Sequence, residues 1–581
     1  MTPTTPTGLQ PLATLARRRW LVVALNTATC VIMLAALAAV LGSDGWGVID
    51  VLAFVAATIG LPWTVLGFWN ALIGLWLLHG VRDPISAVAP YAAPNAVPLT
   101  IRTAVLMTLR NEVPTRALNR LRTVKASIDA TGHGHAFDWF VLSDTNRDDV
   151  AALEEAEIAA WRAADPDHAR IFYRRRTDNT GFKAGNLRDF CARWGANYEV
   201  MLPLDADSVM AGPTIVDHVR MMQAHPRLGI LQSLVVGMPS ASAFARLFQF
   251  GMRHAMRSYT MGQAWWTGEC GPFWGHNALV RIKPFVEDCH LPILPGAPPL
   301  GGHVLSHDQV EATLMRRAGY EVRVLPVEGG SWEENPPSMP EFVRRDLRWC
   351  QGNLQYLKLL DLPGLHPISR FQLIWAIAMF VGIPAWTVLI ALLPVLAWQA
   401  EAGFASGLAI TLYLTYLVMF LTPKLAGIAD VLLTPGGAAR YGGRLRLSFG
   451  AVAETLFSFL QSAASTFHTT LFMVGLVFGR SVTWGGQARD AERLAWGDAA
   501  RLLWPQLVFG VIVVGSLALI APTAALWSLP LTAGYLVAIP VAVLTAHPAV
   551  SRWMVDAKLA GIPEDFDPPA EVRAVQAGTA A

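Results

Sequence analysis

The chain has 581 residues, too many for one ordinary domain, and is 53% hydrophobic with only 15% charged residues. Soluble domains carry about 25% charged residues, so a simple soluble protein is excluded; a formal charge of +2 also excludes the strongly basic surface of a nucleic-acid binder. The charge deficit is local: long uncharged runs lie at both ends while Arg, Asp and Glu crowd the middle, the pattern of a membrane protein with a water-soluble insert.

Residues 1–80 hold two uncharged runs, 20–43 and 51–78, each longer than the roughly 20 residues that cross the hydrocarbon. Arg17, Arg18 and Arg19 precede the first. A signal peptide has a shorter apolar core, so both runs read as spanning helices. The arginines put the N-terminus in the cytoplasm, and two crossings return the chain there. A Pro/Ala-rich connector, 81–98, leads into 99–368, where short apolar runs alternate with helical ones, as in an α/β sheet. Strands are predicted at 103–109, 137–142 and 198–204, with a helix starting near Pro114. Residues 369–427 hold a helix pair turning at Glu401. Within 428–501, residues 449–479 are apolar yet carry Glu454, Gln461 and His468. A crossing there would leave Arg480, Arg489, Arg493 and Arg501 outside, against the positive-inside rule, so interfacial or re-entrant helices are predicted. Residues 502–550 have room for two more spanning helices, divided near 522–530, which makes six. Residues 551–581 form a cytosolic tail, disordered from 562 onward. The five cysteines, Cys30, Cys191, Cys270, Cys289 and Cys350, lack CxxC spacing; this argues against a zinc site or disulfide framework and fits a reduced compartment.

The predicted strands at 137–142 and 198–204 end at Asp144 and at Asp205-Ala206-Asp207. Ligands of open α/β sheets sit beyond the carboxyl ends of strands. Two carboxylates one residue apart in such a turn suit Mg²⁺ or Mn²⁺, hard cations that complete their shells with substrate phosphates and water. The same spacing also occurs in plain turns.

Six elements follow in order: Asn111-Glu112, Asp144, Lys183-Ala184-Gly185-Asn186, Asp205-Ala206-Asp207, Asp308, and Arg345-Asp346-Leu347-Arg348-Trp349. As an ordered set spread over nearly the whole chain they resemble the processive family 2 glycosyltransferases, the class of the cellulose and hyaluronan synthases. Trp274-Gly275-His276-Asn277-Ala278, the run from Gly301 to Asp308, Glu333-Glu334-Asn335-Pro336-Pro337 and the run from Arg345 to Asn353 narrow the resemblance to the glucan biosynthesis glucosyltransferase H family of the osmoregulated periplasmic glucan pathway. The resemblance implies an α-helical transmembrane protein of the bacterial inner membrane, with an inserted cytosolic α/β domain of the GT-A, nucleotide-diphospho-sugar transferase type. It implies inverting, processive transfer from UDP-glucose with Mg²⁺ or Mn²⁺, a β-1,2-linked glucan passed across the membrane, and room for an acyl carrier protein as partner. Two positions depart from the cellulose synthases: Arg345 stands where those have Gln, and Ser306-His307 where those have Thr-Glu.

The roles so implied sit beside plainer ones. Asp308 is the candidate general base, or the N-cap of a helix over 309–318. His307 reads as its hydrogen-bonding neighbour. Asp205 and Asp207 are the candidate metal ligands, and Asp205 also belongs to the donor site. Asp144 is a candidate for the uracil or ribose, and Lys183 for the phosphates or a solvated helix start. Arg345 and Arg348 are diphosphate candidates; Arg348 reads otherwise as a surface ion pair with Asp346 or Glu341. Trp349 is an acceptor platform or a membrane-interface anchor. Val482, Thr483 and Trp484 resemble a loop that closes over the nucleotide. A lipid-linked transferase adding one sugar, a different polysaccharide synthase of the cellulose or hyaluronan type, and a transporter or catalytically dead scaffold are the competing readings.

Overall fold

The computed structural model describes residues 9–92, 97–401, 403–482 and 493–579. Among the described residues, five helices are long and apolar enough to cross a membrane: Leu12–Leu41, Val48–Gly80, Pro367–Gln399, Ser406–Leu433 and Trp496–Ile520. A sixth span is available from Pro522–Leu536 and Ala538–Thr545, which meet at a 56° bend. The chain is thus a helical transmembrane protein. The turn between the third and fourth helices contains Glu401, whose backbone N–H donates to Asp44.

Between the second and third helices lies a seven-stranded sheet, ordered β3-β2-β1-β4-β8-β6-β9. Its strands are β1 Thr103–Leu109, β2 Phe137–Ser143, β3 Ile171–Arg175, β4 Val200–Asp205, β6 Leu228–Ser233, β8 Ala278–Arg281 and β9 Glu321–Leu325. Only β8 runs antiparallel to its neighbours. The strands β1, β2 and β4 are almost wholly buried because helices cover both faces, while the edge strand β3 carries Arg174 and Arg175 and is mostly half-buried. A second sheet pairs β5 Val209–Met210 with β10 Ser331–Glu333 and β7 Val236–Gly237. After β1 the chain adds β2 and β3 on one side and then returns to place β4 on the other. The carboxyl ends of β1 and β4 therefore flank a topological switch point, where such sheets bind ligands.

The helix Ala243–Thr267 leaves the sheet and packs among the membrane helices. Its crossing with Val48–Gly80 brings backbone onto backbone: a methyl on Gly74 would lie 1.7 Å from the Ser258 carbonyl oxygen, and one on Gly262 1.9 Å from that of Asn70. Small residues permit this approach, as in membrane helix pairs.

Two expectations change. Residues 449–477 belong to one unbroken helix, Arg444–Val477, about 51 Å long at 1.5 Å per residue, so no re-entrant turn exists within it. Near its start Gly450 packs against Phe250 and Ala560; near its end Thr469 donates to Asp346, and beyond it Val482 N–H donates to Gln351. Both ends thus stay beside the α/β unit and the helices attached to it.

The tail is ordered, in the helices Pro563–Phe566 and Ala570–Thr579. Val572 and Val575, three residues apart, enter the same apolar core as Leu118 and Leu121 of the helix Pro114–Ala130. Glu564 accepts from Arg253 at 3.0 Å and from Trp332 Nε1 at 3.1 Å, and Asp565 pairs with Arg246 at 2.8 Å. Short apolar spacing and charges whose partners lie some 310 residues away concealed this docking. Arg253 and Glu564 are 1% and 5% exposed. Glu564→Ala should therefore cost about 1–3 kcal/mol, because it removes the nearer of two carboxylates facing the buried Arg253 guanidinium, leaving Glu328 at 3.8 Å, and takes the acceptor from Trp332 Nε1. The check is the melting temperature of the purified protein in detergent; an unchanged value would show that the tail docks without contributing to stability.

Candidate active site

Three strand ends converge at the switch point. Asp205 closes β4, Asp144 follows β2, and Arg110 and Glu112 follow β1; all four line one cavity of about 720 Å³. Asp207 lines it as well. The turn is shaped locally, since Ser208 N–H donates to the Asp205 carbonyl and Asp205 N–H to Ser208 Oγ. Lys183, in the first turn of the helix Phe182–Trp194, forms an ion pair with the Asp205 carboxylate, and Thr108 Oγ1 donates to the same oxygen at 3.4 Å. The sequence left Lys183 open between a site residue and a solvated one; here it is part-buried on an acidic ligand. Two carboxylates on a cavity open to phosphates form an oxygen donor set suited to Mg²⁺ or Mn²⁺. The ammonium on Asp205 shows that this carboxylate accommodates a cation.

Asp144 has a partner that sequence reasoning missed. Arg176 grips its carboxylate through Nε and Nη2, at 2.8 and 2.6 Å, and Asn179 donates to its carbonyl at 2.7 Å. A carboxylate has further lone pairs for a ligand, and Arg176 fixes the direction in which they point.

Asp308 opens the helix Asp308–Arg317, and its Oδ1 accepts from the adjacent Gln309 N–H, at 2.9 Å. His307 holds the cap position, and Asp308 lines the cavity. His307 Nδ1 lies 2.9 Å from Glu311, which is fully buried. Burial penalises the imidazolium, but Glu311 more than offsets this and raises the His307 pKa above its ordinary value. Gly275 packs against Asp308 and His307.

The helix Met339–Leu354 holds this loop from the other side. A methyl on Gly352 would lie 2.2 Å from Ser306 Oγ. Tyr356 donates to the Ser306 carbonyl, Gln355 bonds both Leu305 and His303, and Gln351 ties Pro299 to Val482. The same helix carries Arg345, Arg348 and Trp349 into the cavity. Arg345 lies over the Trp349 ring at 4.7 Å, with Phe248 and Phe342 nearby. Arg348 is 8% exposed, so it lies buried rather than at the surface; Glu341 pairs with Arg344, and Asp346 accepts from Thr469. Burial pushes the Asp346 carboxyl up to about 6, against the opposing effects of Arg345 and Thr469. Val482 reaches the site's edge through Gln351; Thr483 and Trp484 lie outside the described residues.

Sequence reasoning quoted Glu333, Glu334 and His276 without assigning them roles. Glu333 faces His276 at 3.3 Å and lines the cavity. Burial raises its carboxyl pKa; His276 opposes the rise and Asp207 adds to it. Elsewhere Glu269, Cys270 and His366 come close together, but Glu269 is paired with Arg19 at 3.0 Å and His366 Nδ1 accepts the Ile368 N–H.

Away from the carboxylates the cavity continues between membrane helices. It passes Trp63 and Asn70, Tyr259, Gln263 and Trp266, then Phe371 and Trp375. Trp63 stacks on Trp375 at 5.0 Å, and Phe371 on Trp375 at 5.6 Å.

Comparison with known proteins agrees with this geometry. The profile described as "Glycosyl transferase family group 2" matches residues 200–423. A protein of Xanthomonas campestris pv. campestris (strain B100), named glucans biosynthesis glucosyltransferase H, is 36% identical over 579 residues, which cover 96% of this chain and 89% of that one. The chain belongs to the glucans biosynthesis glucosyltransferase H family. A second member, from Vibrio cholerae serotype O1 (strain ATCC 39541 / Classical Ogawa 395 / O395), is 36% identical over 91% of this chain and 75% of its own length. Among solved structures, the mannosyltransferase PcManGT from Pyrobaculum calidifontis, in complex with GDP-Man and Mn2+, is 18% identical with a TM-score of 0.41, covering 66% of this chain and 98% of that one. By its family and its apolar helices the protein is a membrane-embedded glycosyltransferase with an inserted α/β unit. The expected acyl carrier protein partner has no support in these likenesses.

Gly352 gives the site's first test. Gly352→Ala forces the loop carrying Asp308 to shift, and a displacement of about 1 Å costs roughly 10²-fold in rate. Turnover should fall by that order while UDP binding stays near the parent value. Parent-like turnover would show that the loop's position does not depend on this contact.

Proposed function

We propose that the protein is an inverting, processive glucosyltransferase that extends a β-glucan, β-1,2-linked, from UDP-glucose and feeds it through the bacterial inner membrane. The observation that carries this reading is the continuity of one cavity from Asp205 and Asp207, past Asp308, to stacked aromatic rings among membrane helices. Flat aromatic faces suit sugar rings, and a donor site opening into the membrane suits a product that leaves by that route.

In this reading Asp308 takes the proton from the acceptor hydroxyl. That oxygen forms a bond to the anomeric carbon, the bond from this carbon to the phosphate oxygen breaks, and UDP leaves from the opposite face. Asp205 and Asp207 would hold Mg²⁺ or Mn²⁺, which when bound neutralises charge on the diphosphate. Lys183, Arg345 and Arg348 add fixed positive charge near the leaving group. Asp144, oriented by Arg176, accepts from the uracil or ribose, and Trp349 supports the terminal sugar of the acceptor. The segment around Val482 closes over the nucleotide.

The catalytic unit, the N-terminus and the C-terminal helix share the cytosolic side. Supporting this, Val572 and Val575 lie in the catalytic unit's own core, and both ends of Arg444–Val477 lie beside that unit. A cysteine introduced at exposed Ala577, in a version lacking the native cysteines, should resist impermeant thiol reagents applied from the periplasmic side. Labelling from that side would overturn the topology.

Asp308→Asn keeps the shape and removes the proton acceptor. Transfer from labelled UDP-glucose should fall about 10²–10⁴-fold with UDP affinity retained, whereas Asp207→Ala or EDTA should abolish metal-dependent UDP binding as well. A clear preference for another UDP-sugar, or a single glucose placed on a lipid, would replace the glucan reading. Substantial activity in Asp308→Asn would move the base to His307.

A further inference from the structure

The turn between the two candidate metal ligands is held from beneath by a side chain with no place in the chemistry above. Arg120 is 1% exposed in the helix Pro114–Ala130. Its Nη1 donates to the carbonyl of Ala206, the residue between Asp205 and Asp207, at 3.1 Å. Its Nη2 donates to Glu334 Oε1, which also accepts from Arg116 Nη2 at 2.8 Å. Glu334 follows β10, and β10 pairs with β5, the strand entered directly after the turn. One planar guanidinium thus ties the middle of the turn to the segment that flanks it, which the single ammonium of lysine could not do with the same geometry.

We propose that Arg120 is a positioning residue for the donor site: its bridge between the Ala206 carbonyl and Glu334 fixes the spacing and direction of the Asp205 and Asp207 carboxylates. A buried ion pair is weak evidence for stability, because apolar groups of similar volume often serve as well. A bridge that ends on the backbone between two ligands has a geometric use instead. Groups that orient metal ligands typically contribute about 10–100-fold in metal affinity. This inference rests on the reading of Asp205 and Asp207 as metal ligands.

The test titrates Mn²⁺ into the full-length protein in detergent with UDP present, following free Mn²⁺ by electron paramagnetic resonance and fold by melting temperature. Arg120→Met keeps the buried volume and removes both bonds. Its Mn²⁺ midpoint, read well below the melting temperature of the variant, should rise about 10–100-fold, since Glu334 keeps Arg116 as a partner but the Ala206 carbonyl loses its donor, and Arg120→Lys should restore part of the loss. An unchanged midpoint in Arg120→Met overturns the proposal. Should Arg120→Met fail to fold, Glu334→Gln decides: a weakened midpoint supports the bridge and a parent-like midpoint overturns it. A parent protein that takes up no Mn²⁺ with UDP, and whose Asp207→Ala variant behaves identically, overturns the metal reading itself and this inference with it.

Discussion

The crossing of Val48–Gly80 over Ala243–Thr267 joins the two halves of the molecule. Carbonyl groups from Ser258 and Asn70 occupy the space that side chains at Gly74 and Gly262 would need. Trp266 Nε1 donates to Asn70 Oδ1 across the same contact, at 3.0 Å. This approach seats the helix leaving the sheet deep among the membrane helices. It brings the carboxyl edge of the sheet to the mouth of a membrane cavity.

Charge is handled differently on the two faces of that joint. On the α/β side, Arg246 and Arg253 of the same helix are buried and take their carboxylates from the C-terminal tail. Nearer the membrane helices, Arg257 and His79 share Asp430. Removing a charge from water is costly unless a partner is in place, so these pairs require the tail and the helix Ser406–Leu433 to be docked. The cavity differs, since Asp205, Asp207 and Glu333 lie together and Lys183, Arg345 and Arg348 share its wall. Such mixed charge suits a polyanionic ligand and a cation arriving together.

The loop bearing Asp308 is held by contacts spread over the helix Met339–Leu354 and the residues just after it. Gly352 permits the approach, Tyr356 and Gln355 bond the loop backbone, and Gln351 reaches Val482. Arg345, Arg348 and Trp349 share this helix, so the side chains it carries into the cavity and the loop bearing Asp308 are positioned by one element.

Much of this was legible in the sequence because the signals were local. Uncharged runs marked the membrane helices, apolar strands ending in Asp144 and Asp205 marked the edge of the sheet, and the ordered motifs marked the family. The rest depended on contacts between distant residues. Nothing near Asp144 announces Arg176, nothing near Ala206 announces Arg120, and the tail reads as disordered until Glu564 meets Arg253. Periodicity reports which face of an element is buried, and motifs report which chemistry is available. Which buried charge meets which partner, and whether two cavities become one, is decided only when the sheet, the tail and the membrane helices pack together, because burial is what makes an unpaired charge too costly to leave alone.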